Sequence, residues 1–330
     1  MEPEQPRRVL SCGPDDLLTA DLTDAAATDL DVPDAAGRLA KTAVADDDGP
    51  AARLLGALRR VEVRRGDVTL SCLIGGAAGG PPVVLLHGLA GSAEEMRPTA
   101  EALAPRHRVV AIDQRGHGHS TRRPDDVSRR AYADDVAAVI ERLCGGRHVA
   151  LAGQSMGGHT AMLVAAWYPQ LVGRLVMLEA GVGGTEAGDE DYPARLGRWF
   201  ASWPVPFADR AAAVAHLGGT PIARALAADL QEHPDGFRAR FDADVMERAI
   251  AGVAQEARWA EWASVRAPTL LVRGERGTTA AAEHARMRDV RGGVRCGLVA
   301  GAGHDVHLDA PESWFGLLAE FLDGPSVAYR

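Results

Sequence analysis

Apolar residues fall along this chain in short bursts, and the spacing inside each burst changes from one segment to the next. Arg60-Val61-Glu62-Val63-Arg64 alternates, Gly66-Asp67 supplies a turn, and Val68-Thr69-Leu70-Ser71-Cys72-Leu73-Ile74 alternates again. That pattern predicts a β-hairpin. Pro81-Pro82 ends a glycine-rich loop and introduces a buried strand at 83–87; Arg108–Ile112, His148–Ala152, Arg174–Leu178 and Thr269–Val272 read the same way. Ala131 to Leu143 has helical spacing, and the run Thr160–Ala166 is helix-like. Short apolar strands alternating with helices predict an α/β fold, a mostly parallel sheet covered on both faces.

The alternation stops between residues 183 and 262. This stretch is helix-like and holds eight of the chain's twelve Phe and Trp residues: Trp199, Phe200, Trp203, Phe207, Phe237, Phe241, Trp259 and Trp262. It predicts a helical cap inserted into a core made of residues 51–182 and 263–330. Most of the rings are expected to fill the cap's own small core, with Trp199, Phe200 and Trp203 expected to face a substrate. Residues 1–50 show little apolar periodicity, and Asp46-Asp47-Asp48-Gly49-Pro50 marks a break. They predict an acidic, disordered tail, with docking to a basic protein partner as the alternative.

Composition sharpens this picture in few places. At 330 residues, 46% apolar and 25% charged, the chain suits one large domain plus an insertion. The net charge of −9 is concentrated: residues 1–50 hold 12 acidic and 4 basic groups, and the other 280 residues hold 33 and 32. A nearly neutral body gives no reason to expect nucleic acid as a partner. No apolar stretch reaches the length of a membrane span, and the first residues lack a signal peptide's apolar core, so a cytoplasmic location is the default expectation. Cys12, Cys72, Cys144 and Cys296 form no C-x-x-C pair and are expected to be free, mostly structural thiols.

The chemistry concentrates at Gly153-Gln154-Ser155-Met156-Gly157, a G-x-S-x-G match between an apolar run and a helix-like run. That setting holds a serine hydroxyl clear of its backbone on a tight turn. A serine nucleophile needs a base, and the base needs a carboxylate. His304 follows the apolar run Leu298–Ala300, and His87-Gly88 follows Val83–Leu86; both fall at strand ends, where open sheets place ligands. His117, His119, Asp113 and Arg115 share one glycine-rich loop and are expected to brace it; His159 is expected to be structural. His304, Asp305, His307 and Asp309 lack H-E-x-x-H spacing, so no metal and no cofactor is expected.

Together, His87-Gly88, Asp113–Ser120, the Ser155 turn, Pro268–Glu275, and Gly303-His304 followed by Pro311-Glu312 resemble the α/β-hydrolase fold superfamily, over about residues 58–182 and 263–330. The resemblance implies an eight-stranded sheet with an antiparallel first hairpin and a lid after the sixth strand. It implies Ser155 as nucleophile, His304 as general base and acid, and the backbone N–H groups of Leu89 and Met156 as the oxyanion hole. The chain departs from the family at the acid. Gly277 stands where most members place Asp, in Gly274-Glu275-Arg276-Gly277. Glu179, ending the sixth strand where some members carry their acid, is the first candidate to replace it; Glu275, Asp305 and Asp309 remain open. The expected activity is hydrolysis of a small, fairly apolar ester, thioester or lactone through an acyl-enzyme. Lyase, cyclase, C–C hydrolase or acyltransferase chemistry on the same residues is the alternative. The missing acid at position 277 alone supports a third reading, a non-catalytic ligand-binding protein.

Overall fold

The computed structural model describes residues 58–185 and 189–324, so the reading of residues 1–50 lies outside the described residues. A single eight-stranded sheet forms the frame. Its strands are β1 (Arg59–Arg65), β2 (Val68–Gly76), β3 (Pro82–Leu86), β4 (Arg108–Ile112), β5 (Val149–Gln154), β6 (Val172–Leu178), β9 (Thr269–Gly274) and β10 (Val294–Val299), with two cap strands, β7 (Gln231–His233) and β8 (Gly236–Arg238), lying between β6 and β9 in the chain. The order across the sheet is β1-β2-β4-β3-β5-β6-β9-β10. β2 runs antiparallel to both neighbours, and every other pair is parallel.

The central strands explain the order. β3 reads Pro-Val-Val-Leu-Leu and is buried at every position, so it can sit only where helices cover both faces. One face packs against α2 (Arg129–Cys144) and α3 (Met156–Trp167), the other against α1 (Arg97–Leu103) and α11 (Pro311–Asp323). α2 shows how local chemistry sets its limits. The Ser128 hydroxyl accepts from the Ala131 N–H at the start, and Gly145 closes the end at φ 67°.

Between β6 and β9 lie α4 (Tyr192–Ala201), α5 (Arg210–His216), α6 (Pro221–Ala228), β7 and β8 paired as a two-stranded ribbon, α7 (Ala243–Ala254) and α8 (Trp259–Ser264). Phe200, Trp203, Phe207 and Phe241 join one apolar cluster distinct from the two beside the sheet. The ribbon is a departure from the helix-like reading; Gln231–His233 carries no apolar signal to announce it. α8 is another departure. Trp262 is fully buried with the core residues beside α3 and donates its indole N–H to the Met287 carbonyl at 2.8 Å, so its ring belongs to the sheet's core. β10 extends well before Leu298, because an edge strand with exposed Arg295 and Cys296 shows an apolar signal only at its end. Cys72 and Cys144 are buried in the core, whereas Cys296 is exposed. No helix among the described residues is long and apolar enough to cross a membrane.

Candidate active site

Ser155 follows the last residue of β5 and precedes the first of α3, with φ 50° and ψ −120°. That backbone is strained for a residue with a side chain. Its N–H donates to the Leu178 carbonyl of β6 at 2.8 Å, and its carbonyl accepts from the His159 N–H at 3.1 Å. The turn leaves no room for neighbouring side chains. A Cβ on Gly153 would lie 2.2 Å from the Gly157 carbonyl oxygen, and one on Gly157 would lie 2.4 Å from the His87 oxygen and 2.6 Å from the Leu86 oxygen. Gly157→Ala is therefore expected to cost about 2–3 kcal/mol, since both obstacles are backbone. Chemical denaturation at unchanged slope measures it; a cost below about 0.5 kcal/mol contradicts the close approach.

The loop after β3 meets this turn. A Cβ on Gly88 would reach 3.4 Å from the Ser155 Cβ and collide with the Gln154 amide. His87, fully buried, holds the loop in one tautomer: Nε2 accepts from the Gln114 N–H at 3.0 Å, so Nδ1–H donates to the Gly88 carbonyl at 2.7 Å. Asp113 accepts from the Ala93 N–H at 2.7 Å and the His119 N–H at 3.1 Å, and Arg115 pairs with Asp135 at 2.6 Å. These residues brace the loops. His117 is buried against the Arg115 carbonyl, with burial holding its pKa down at about 3. Among the described residues, neither the Leu89 nor the Met156 N–H donates a hydrogen bond within the chain.

His304 follows β10, 11% of its side chain exposed, and Glu179 follows β6 with none exposed. Oε2 of Glu179 lies 3.3 Å from Nδ1 of His304. The carboxylate is held from three further directions: Gly274 N–H donates to Oε1 at 2.7 Å, and Thr278 and Thr279 N–H donate to Oε2 at 2.9 and 3.0 Å. Burial pushes this carboxyl up, but the hydrogen bond with His304 and the backbone donors outweigh it and hold it below the usual range. Burial likewise disfavours the charged imidazole of His304, yet the bond to Glu179 and the charges of Asp305 and Glu95 raise its pKa above the ordinary value.

The glycine at 277 has a physical cause. A Cβ there would sit 2.0 Å from Oε1 and 2.6 Å from Oε2 of Glu179. The carboxylate from β6 thus fills the space that a side chain on the β9 loop would need. The other carboxylates weighed for this place lie elsewhere. Glu275 accepts from Gly301 N–H at 2.8 Å in an exposed turn, and Asp309 from Gly303 N–H at 2.9 Å. Asp305 bonds Gln154 Nε2 at 3.4 Å, and burial pushes its carboxyl up to about 6.

Ser155 and His304 line one cavity of about 600 Å³, counting space open to solvent, together with Leu89, Trp199 and Phe200. No hydrogen bond joins Ser155 to His304 among the described residues, and such bonds are often long before a substrate binds. Trp203 lines an adjoining space instead of this cavity. Sequence reading missed Thr278, whose hydroxyl lies 2.7 Å from Nδ1 of His304, and Glu95, which lines the cavity and meets His307 Nε2 at 2.9 Å. Neither carries a sequence signal, because each pairing joins distant loops. Among the described residues, no three His, Cys, Asp or Glu side chains gather to hold a metal ion.

A family model described as alpha/beta hydrolase fold matches residues 81–311. The chain is 29% identical over 280 residues to a 2-(acetamidomethylene)succinate hydrolase of Mesorhizobium japonicum, covering 80% of this chain and 95% of the relative. It is 30% identical over 268 residues to the sn-1-specific diacylglycerol lipase ABHD11 of Mus musculus, covering 76% and 83%. The crystal structure of E-2-(acetamidomethylene)succinate hydrolase superimposes with a TM-score of 0.73 at 28% identity, over 81% of this chain and all (100%) of that one.

Proposed function

Because the chain belongs to the alpha/beta hydrolase fold family, we propose that it is a serine hydrolase that cleaves a neutral, fairly apolar ester, thioester or lactone through an acyl-enzyme. The observation that carries this reading is His304, backed by Glu179, opening onto the same cavity as the strained turn at Ser155. With Nδ1–H turned to the Glu179 carboxylate and the Thr278 hydroxyl, the Nε2 lone pair of His304 is the base that takes the Ser155 proton as Oγ attacks the carbonyl. The oxyanion rests on the Leu89 N–H of the loop after β3 and the Met156 N–H at the start of α3, each donor worth roughly 3–4 kcal/mol of barrier in well-studied cases. His304 then protonates the leaving group, and water repeats the sequence on the acyl-enzyme. Glu179 stays ionised throughout, steadying the imidazolium.

The names of the two relatives point to different substrates. A substituted succinate carries two carboxylates, whereas a diacylglycerol carries none. Among the described residues no Lys or Arg lines the cavity, while Glu95 and Asp305 do, and the rest of the wall includes Leu196, Ile222 and Ile250. Bringing a dianion beside two carboxylates without a cation is unfavourable. The neutral ester fits better.

The test is the rate at which a fluorophosphonate labels the protein, followed by mass spectrometry and across pH. Labelling is expected at Ser155 alone. Only neutral His304 can accept the proton, and its pKa is raised, so the rate rises with pH through a midpoint above that of an ordinary imidazole. Glu179→Gln removes a group that raises this pKa, so the midpoint moves down. Labelling at another residue, or a rate flat across this range, sinks the reading.

A further inference from the structure

A second space adjoins the catalytic cavity and shares Ala90, Glu95 and Leu226 with it. Its remaining wall differs in character: Trp203, Asp229, Arg240 and Phe241 line it. Trp203 is 4% exposed, and its indole N–H has no hydrogen-bond partner. A buried donor left without an acceptor is unfavourable, so such groups in folded proteins normally meet a partner, a ligand or a water. We propose that the cavity over Ser155 continues past Ala90, Glu95 and Leu226 into a small, mostly apolar chamber whose few polar groups bind a hydroxyl group at the far end of the substrate's apolar chain. This deepens the ester-hydrolase reading and rests on it for the word substrate.

The choice of a hydroxyl follows from the chamber's mixed donors and acceptors. The Trp203 N–H needs an acceptor. The carboxylates of Asp229 and Glu95 accept, and a hydroxyl can accept from the first while donating to one of the others. A carboxylate ligand could satisfy Trp203 but would face Asp229 and Glu95. Among the described residues the cation in the wall is Arg240, and its charge is paired with Asp229: its Nε donates to the Asp229 carbonyl at 2.9 Å and lies 3.5 Å from the Asp229 carboxylate. An ammonium ligand could pair with a carboxylate but would leave the Trp203 N–H unmet. His119 lies 3.9 Å from Asp229, and burial pushes the Asp229 carboxyl up to about 6. Burial thus already disfavours charge at this carboxylate, and a neutral partner adds none.

The experiment is titration calorimetry of the full chain with a ladder of n-alkanols from butanol to octanol and the matching α,ω-diols. An apolar cavity alone binds every diol more weakly than its alkanol, because the added hydroxyl must leave water. The chamber predicts that at the length that spans both spaces the diol binds about tenfold more tightly, the gain from one well-made buried hydrogen bond with a partner otherwise unmet. Trp203→Phe keeps an aromatic side chain but trims the indole and removes the N–H; the ratio of diol to alkanol affinity, in which a general loss of packing cancels, collapses at that length. Diols weaker at every length overturn the proposal using the unaltered protein alone, and so does a diol preference that survives in the variant. Neither reading uses turnover. A protein that fails to label at Ser155 can still show or lack the diol preference, which separates failure of the chamber from failure of the hydrolase assignment.

Discussion

Ser155→Ala is expected to lower kcat/KM for an activated ester by roughly 10⁴–10⁶-fold, with the fold intact. The size follows from how the three groups depend on one another. Without Oγ there is no nucleophile for His304 to deprotonate, and without His304 the hydroxyl attacks only as a neutral alcohol. Each single loss therefore removes nearly the whole covalent route. His304→Ala falls to a similar floor, and the double variant falls no further, because residual rate comes from substrate binding and the Leu89 and Met156 N–H groups. Stopped assays with p-nitrophenyl esters measure all three variants. A Ser155→Ala protein that keeps more than about a tenth of the wild-type value removes the nucleophile assignment, and wild-type protein with no turnover of any ester favours a binding role.

The second large effect joins Glu179 and Gly277. Glu179→Gln is expected to lower kcat by roughly 10³–10⁴-fold, since a neutral amide cannot stabilise the imidazolium and its NH2 would face either the Gly274 N–H or the Thr278 and Thr279 N–H groups. Gly277→Asp alone should be nearly as harmful, because its Cβ would arrive 2.0 Å from Oε1 of Glu179. Combining Gly277→Asp with Glu179→Ala removes the collision. The Cβ position at 277 lies 2.6 Å from where Oε2 stood, and Oε2 lies 3.3 Å from Nδ1 of His304, so the new carboxylate starts within reach of the imidazole. Recovery of at least tenfold over Glu179→Ala is the expected result. Wild-type activity in Gly277→Asp would show that the two positions do not compete for one space.

Much of this arrangement was legible in the chain because it rests on local patterns. β3 and β5 are runs of apolar residues that only a covered sheet can hold, and the Ser155 turn announces itself by glycines whose absent Cβ atoms the close packing requires. Glycine in place of aspartate at 277 was visible as a departure from the family, and Glu179 as the carboxylate ending the neighbouring strand. What stayed hidden depends on contacts across long stretches of chain. Thr278 reaches His304 from a different loop, and Glu95 meets His307 across 212 positions. The sequence marks Trp203 as an aromatic of the cap, but which space it lines follows from how α4 packs beside the α6–β7 and β8–α7 connections. Trp262 shares the aromatic character of the cap residues, and only the packing of α8 on α3 assigns it to the core.

Among the described residues, three non-glycine side chains sit at positive φ: Ala90 at 61°, Ser155 at 50° and Glu179 at 47°. Ala90 and Ser155 line the same hollow and Glu179 sits buried behind His304, and each torsion costs on the order of 1–3 kcal/mol. Mutations that let these torsions relax would make the molecule hardier in heat and poorer at its chemistry. Selection for durability and selection for turnover therefore pull on the same few bonds in opposite directions.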